Sequence, residues 1–114
     1  MRTLIDNVLL WARERNILEG STAIKQLDKT SEEFNELQRA ISEYGVYKML
    51  ELEGASKEAH SEIVDAFGDI LVTLIIAAHM LGVDLEVALE SAWEEIKDRK
   101  GKMLNGKFVK EADL

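Results

Sequence analysis

Apolar positions in the first third of the chain recur at helical intervals. Leu4, Ile5, Val8, Leu9, Trp11 and Ala12 return to one side of a cylinder that turns roughly 100° per residue. This predicts a first helix from about Thr3 to Leu18, stopped by Gly20. Ser21 or Thr22 is placed to cap a second helix, along which Ile24, Leu27, Phe34, Leu37, Ala40 and Ile41 form an apolar stripe. Thr30-Ser31-Glu32-Glu33 also reads as a capping box, so a start or kink near Thr30 stays open beside one long helix to about Tyr44. The stretch 45–56 is the least regular, and Gly54 is expected to end whatever helix it holds. A third helix is expected from about Ser56 to Leu81, with Gly82 as its stop. Its second half, DILVTLIIAAHML, is apolar nearly all round, as in a helix buried on every side. Asp84 then caps a fourth helix, LEVALESAWEEIKDRK, whose inner face is Leu85, Ala88, Leu89, Ala92, Trp93 and Ile96. Beyond Gly101, Asn105-Gly106 is a turn signal.

Four helices joined by short turns predict an all-α chain, a single domain over 1–114, folded as an antiparallel four-helix bundle. So small a domain has too little chain to cover the third helix on all sides. The excess apolar surface predicts assembly as a helical dimer or higher oligomer, a homodimer or homotetramer. The absence of Pro agrees with helices throughout, and the absence of Cys excludes disulfides, zinc-thiolate sites and thiol nucleophiles. The N-terminal stretch carries charges through its apolar positions and has no signal-cleavage pattern. The apolar run from Ile70 to Leu81 is short for a membrane span and contains His79. A soluble, cytoplasmic protein with no membrane partner is the expectation. His79 is read as a satisfied core histidine and His60 as a surface residue near a helix start.

Charge sharpens this outline. A net charge of −8 argues against a nucleic-acid polymer as partner, which needs a basic footprint. Yet Lys97, Arg99, Lys100, Lys102, Lys107 and Lys110, six of the fourteen basic residues, fall in the last eighteen positions. An acidic body with a basic end suits a small anionic ligand bridged by metal, although cations at a helix C-terminus also complement the helix dipole.

The acids themselves are patterned. Glu32, Glu33 and Glu36 lie on the second helix, and Glu62, Asp65 and Asp69 on the third. Glu33 and Glu36 are about 60° apart, and Glu62 and Asp69 nearly eclipse, with Asp65 beside them. Two helices presenting carboxylates in this way can meet around a hard divalent cation, which prefers oxygen ligands and keeps substrate phosphates in its shell. A lone Glu pair is ordinarily a solvated face. Asp65 and Asp69, however, are poor helix formers flanking Ala66-Phe67-Gly68 where the helix turns thoroughly apolar. Gly68 costs about another 1 kcal/mol relative to Ala, which predicts close approach of a backbone or ligand. Glu-x-x-His pairs, a zinc motif and a phosphate-binding P-loop are absent from the sequence.

The run Trp11-Ala-Arg-Glu-Arg-Asn-Ile17, Lys29-x-x-Glu32-Glu33-x-x-Glu36-Leu37, Glu62-x-x-Asp65-x-x-Gly68-Asp69, Gly82-Val-Asp84-Leu85 and Ile96-Lys-x-Arg99-Lys-Gly101-Lys-Met103 resembles the MazG-like nucleoside triphosphate pyrophosphohydrolases, across nearly the whole chain and in order. That resemblance implies the fold of the all-α NTP pyrophosphatases, alongside dimeric dUTPases and phosphoribosyl-ATP pyrophosphohydrolases. It implies Mg²⁺-dependent hydrolysis of NTP or dNTP to the monophosphate and pyrophosphate, with Mn²⁺ as a substitute cation. The family's Glu-x-x-Glu falls on Glu33 and Glu36. Its Glu-x-x-Asp falls literally on Glu62 and Asp65, or, if aligned to Glu-Leu-Gly-Asp, on Ala66 and Asp69. The implied metal ligands are therefore Glu33, Glu36, Asp69 and Asp65 or Glu62. Glu32 or Glu33 is the candidate proton acceptor, and Lys97 with Arg99 or Lys100 the candidate phosphate clamp. Lys29 is a second phosphate candidate, or an ion-pair partner of Glu33. Trp11 and Gln26 are candidates to hold the base, with core packing the alternative for Trp11. The competing class is a non-catalytic helical interaction module on the same fold.

Overall fold

The N-terminal amphipathic stretch coils as α1 (Arg2–Glu14), and a computed structural model describes the chain from there to Leu114. The helix does not continue to Leu18. Asn16 takes a left-handed conformation (φ 59°), which Asn tolerates better than most residues, and starts a separate turn, α2 (Ile17–Gly20). Gly20 thus closes that turn and not the first helix.

Thr22 caps α3 (Ala23–Met49), its hydroxyl accepting from the Lys25 N–H at 3.2 Å. Thr30 does not begin a new helix, because its hydroxyl donates back to the Gln26 carbonyl (2.9 Å) within the helix. The helix also runs through Gly45, past its expected end near Tyr44. Glu51, at φ 58°, reverses the chain, and the Leu52 N–H returns to the Tyr47 carbonyl at 2.9 Å, a Schellman-type closure. Gly54 therefore stands in the first turn of α4 (Glu53–Met80) instead of ending a helix. At the far end of α4, Gly82 (φ 69°) terminates the helix as its spacing implied, with the Val83 N–H on the Ala78 carbonyl at 2.8 Å.

The helical hairpin of α3 and α4 is the main packing unit, and α1 lies against α4. Small residues dominate the contact: Ala40 of α3, Ala59, Ala66 and Ala77 of α4 and Ala12 of α1 are buried, with Ile5, Leu37 and Ile76 among them. Thr30 and Thr73 bring their hydroxyls to 2.7 Å across the pair. Much apolar surface remains outside. Phe34 is 51% exposed, Phe67 53% and Leu71 52%, so the second half of α4 is not covered all round by the described residues of its own unit. His79 is exposed as well, on the uncovered side of α4, and is not a core histidine.

The described residues group into two compact units that divide between Val83 and Asp84. In the second, the Asp84 carboxylate accepts from the Glu86 and Val87 N–H groups (3.0 and 3.2 Å) and caps α5 (Leu85–Ile96). The tail is an antiparallel hairpin of β1 (Gly101–Leu104) and β2 (Lys107–Lys110). Asn105 and Gly106 turn it with positive φ at both positions, the conformation that matches strand twist. The Phe108 ring lies over Gly101, where any side chain would strike the ring and the Val109 carbonyl. A short 3-10 turn follows at Glu111–Asp113. The all-α reading thus holds broadly, with five α-helices and a small hairpin among the described residues in place of four helices.

Candidate metal and phosphate site

Residues 36, 39/40 and 43 of α3, and 62, 65/66 and 69 of α4, are spaced three or four apart, so each set shares one helix face. Pairing of the two helices turns these faces into the walls of a groove of about 440 Å³, lined by Glu36, Arg39, Ala40, Glu43, Glu62, Asp65, Ala66 and Asp69. Ala40 and Ala66 are buried and form its floor, whereas all the acids but the half-buried Glu43 are exposed along its walls. Ala66, which the alternative alignment places at a ligand position, is therefore floor. Glu62, Asp65 and Asp69 all reach the groove, whichever alignment is used.

Glu33 sits one turn before Glu36 and is half-buried. Its carboxyl is pushed above the ordinary carboxylate range, first by burial and then by the negative charges of Glu36 and Asp69; a hydrogen bond with Glu36 adds to this, and Lys29 opposes it. The influence of Asp69 shows that charge on α4 is felt on α3. Like charges held together raise the free energy of the ionised cluster, and a bound cation would relieve it. The donor set is wholly carboxylate oxygen, which fits a hard divalent ion such as Mg²⁺. Among the described residues no three His, Cys, Asp or Glu side chains already converge closely enough to enclose a metal. Closure on a cation would require the exposed carboxylates to turn towards it.

The remaining candidates are more scattered. Glu32 is exposed on α3 and does not line the groove. Lys29 acts on Glu33 through its charge. Gln26 is buried, its amide donating to the Ser21 hydroxyl at 3.0 Å. It lies ten residues before Glu36, about 15 Å along α3. Trp11 is 44% exposed rather than packed in the core, and the Arg15 guanidinium lies 4.7 Å from its ring centroid. In the second unit Lys97 pairs with Glu94 (2.6 Å), and Arg99 and Lys100 line a separate surface groove with Lys110. A Cβ at Gly68 would meet no atom within 4 Å, so the expected close approach is not made among the described residues.

Two groove residues, Arg39 and Glu43, are additions to the expected set. Continuing the helical spacing of Glu36 by one and two turns points to both.

A family model described as phosphoribosyl-ATP pyrophosphohydrolase matches residues 10–100. A protein of Haemophilus phage HP1 (strain HP1c1), described as an uncharacterized 18.2 kDa protein in the rep-hol intergenic region, is 33% identical over 84 residues. The aligned region is 74% of this chain and 43% of the phage protein, so the chain spans less than half of that relative's length. No solved structure matches.

Proposed function

The chain belongs to the phosphoribosyl-ATP pyrophosphohydrolase family, within the all-α NTP pyrophosphatase superfamily, and on that premise we propose that it hydrolyses nucleoside triphosphates to the monophosphate and pyrophosphate with Mg²⁺. The supporting observation is the groove in which Glu36 of α3 faces Glu62, Asp65 and Asp69 of α4. In this reading Glu33, Glu36, Asp69 and either Asp65 or Glu62 hold the cation. Bound Mg²⁺ (or Mn²⁺ in its place) supplies charge neutralisation of the phosphates and activation of water.

The chain's own residues do the rest. The acidic walls admit a triphosphate only in company with cations, which couples substrate entry to metal loading. Glu33 or Glu32 accepts the proton of the attacking water. The water oxygen bonds to phosphorus as the α–β bridging bond breaks, and the bridging oxygen keeps the electron pair. Attack at the α phosphorus expels pyrophosphate and attack at β expels the monophosphate; the products are the same, and isotope-labelled water separates the two. Lys97, with Arg99 or Lys100, is the proposed phosphate-oxygen clamp carried by the second unit. Trp11 offers a ring, and Gln26 an amide, to the base.

A second reading is favoured by the description of the matching family: phosphoribosyl-ATP as the substrate. It requires the same bond cleavage in a larger nucleotide. Ranking kcat/KM over canonical and modified NTPs, dNTPs and phosphoribosyl-ATP decides between them. The primary reading expects a nucleoside triphosphate to lead; turnover confined to phosphoribosyl-ATP would replace it. A folded protein that turns over neither would instead be the non-catalytic interaction module.

A second copy of the chain is the proposed cover for the stripe of Ile24, Leu27, Phe34 and Ile41 on α3 and of Val64, Phe67 and Leu71 on α4, all exposed. By length and composition α4 is apolar enough to cross a membrane. Its packing against α3, and the carboxylates on its groove side, support a core helix rather than a membrane span; a soluble, cytoplasmic homo-oligomer is the proposed setting.

A further inference from the structure

Among the described residues that line the groove, Arg39 is the one cation, beside five carboxylate residues in the same lining: Glu36, Glu43, Glu62, Asp65 and Asp69. It stands one turn after Glu36 and one turn before Glu43 on α3, at the i,i+3 and i,i+4 spacings that favour helix ion pairs. Even so, Arg39 makes no ion pair within 4 Å among the described residues, and its side chain is exposed. A guanidinium stays charged at every accessible pH and presents a planar fork of donors that matches phosphate oxygens two at a time. Its charge opposes entry of a bare divalent cation. An anion that arrives with the cation can neutralise it, and a polyphosphate is such an anion.

We infer that Arg39 is a substrate-contacting residue, binding non-bridging phosphate oxygens of a metal-bound polyphosphate and making the groove select that complex over the free cation. The inference rests on the proposed pyrophosphohydrolase reading, and adds the phosphate-recognising group inside the acidic groove itself.

The test compares wild type with Arg39→Ala and Arg39→Lys, all checked for unchanged helical circular dichroism. Three quantities are measured: calorimetric binding of Mn²⁺ alone, binding of pyrophosphate in excess Mg²⁺, and steady-state KM and kcat on the best triphosphate. For Arg39→Ala, KM and the dissociation constant of pyrophosphate should rise roughly tenfold or more. Mn²⁺ alone should bind as tightly as before or more tightly, because a repelling charge is gone. Arg39→Lys should recover part of the loss, keeping the charge without the fork. An active wild type with unchanged KM and pyrophosphate binding in Arg39→Ala would overturn this inference while leaving the function standing. Mn²⁺ binding that weakens in step with KM would overturn it too, showing that Arg39 only shapes the metal site. A wild type that neither turns over nucleotides nor binds pyrophosphate would overturn the function, and the inference with it.

Discussion

The carboxyl of Glu33 carries the clearest electrostatic signature of the site. Its folded-state pKa is raised, so its ionisation opposes folding. That cost is absent below the ordinary glutamate range, grows as pH rises from there through the raised folded value, and is complete above it. Without metal, Glu33→Gln should therefore raise the thermal midpoint relative to wild type at pH 8, with the gain fading towards pH 4; a scan of both proteins across that range reads it. Glu36→Gln and Asp69→Asn should each lower kcat/KM by roughly a thousandfold, with helical circular dichroism and thermal midpoint kept. Loss of fold in either would assign it a structural role. These acids were legible because they pair three and four apart on residues otherwise costly in an apolar helix. Arg39 and Glu43 were as legible by spacing, but the family pattern stops at Glu36. His79 was misplaced because an apolar sequence neighbourhood does not say which side of a helix another element covers.

Among the elements, glycine was an uneven guide: Gly82 and Gly106 mark a helix end and a turn, whereas Gly45 and Gly54 end nothing. Gly45 lies inside α3 and Gly54 in the first turn of α4, with nothing within 4 Å of a Cβ added at either. The half-buried Tyr44 and Tyr47 on either side of Gly45 anchor α3 through that position. Tertiary packing of this kind offsets a helix propensity deficit of about 1 kcal/mol. Gly45→Ala should accordingly stabilise the chain by about 1 kcal/mol in denaturant unfolding. Gly101 is the opposite case: Gly101→Ala should open the hairpin, seen as loss of cross-strand Met103–Phe108 proton contacts by NMR, because the Phe108 ring and Val109 carbonyl occupy the space. Helix starts were read well where a side chain caps them, at Thr22 and Asp84. The break at Asn16 was hidden because apolar periodicity carries on through Ile17 and Leu18, and the hairpin because its strands are only four residues each.

For the molecule as a whole, the same helix pair carries both the exposed apolar faces of α3 and α4 and the acidic groove, so the proposed reaction and the proposed second copy would use different surfaces of one hairpin. Light scattering should find a dimer or tetramer, and Phe67→Glu should drive it towards monomer; a monomeric wild type would leave those faces without their proposed cover. The central claim is the reaction. Purified protein incubated with Mg²⁺ and a panel of nucleoside triphosphates, with pyrophosphate, monophosphate and orthophosphate quantified together, tests it most directly. Pyrophosphate and monophosphate should form in equal amounts, and chelation of the metal should abolish both. Orthophosphate as the released product, or no product from any triphosphate by a folded protein, would contradict it.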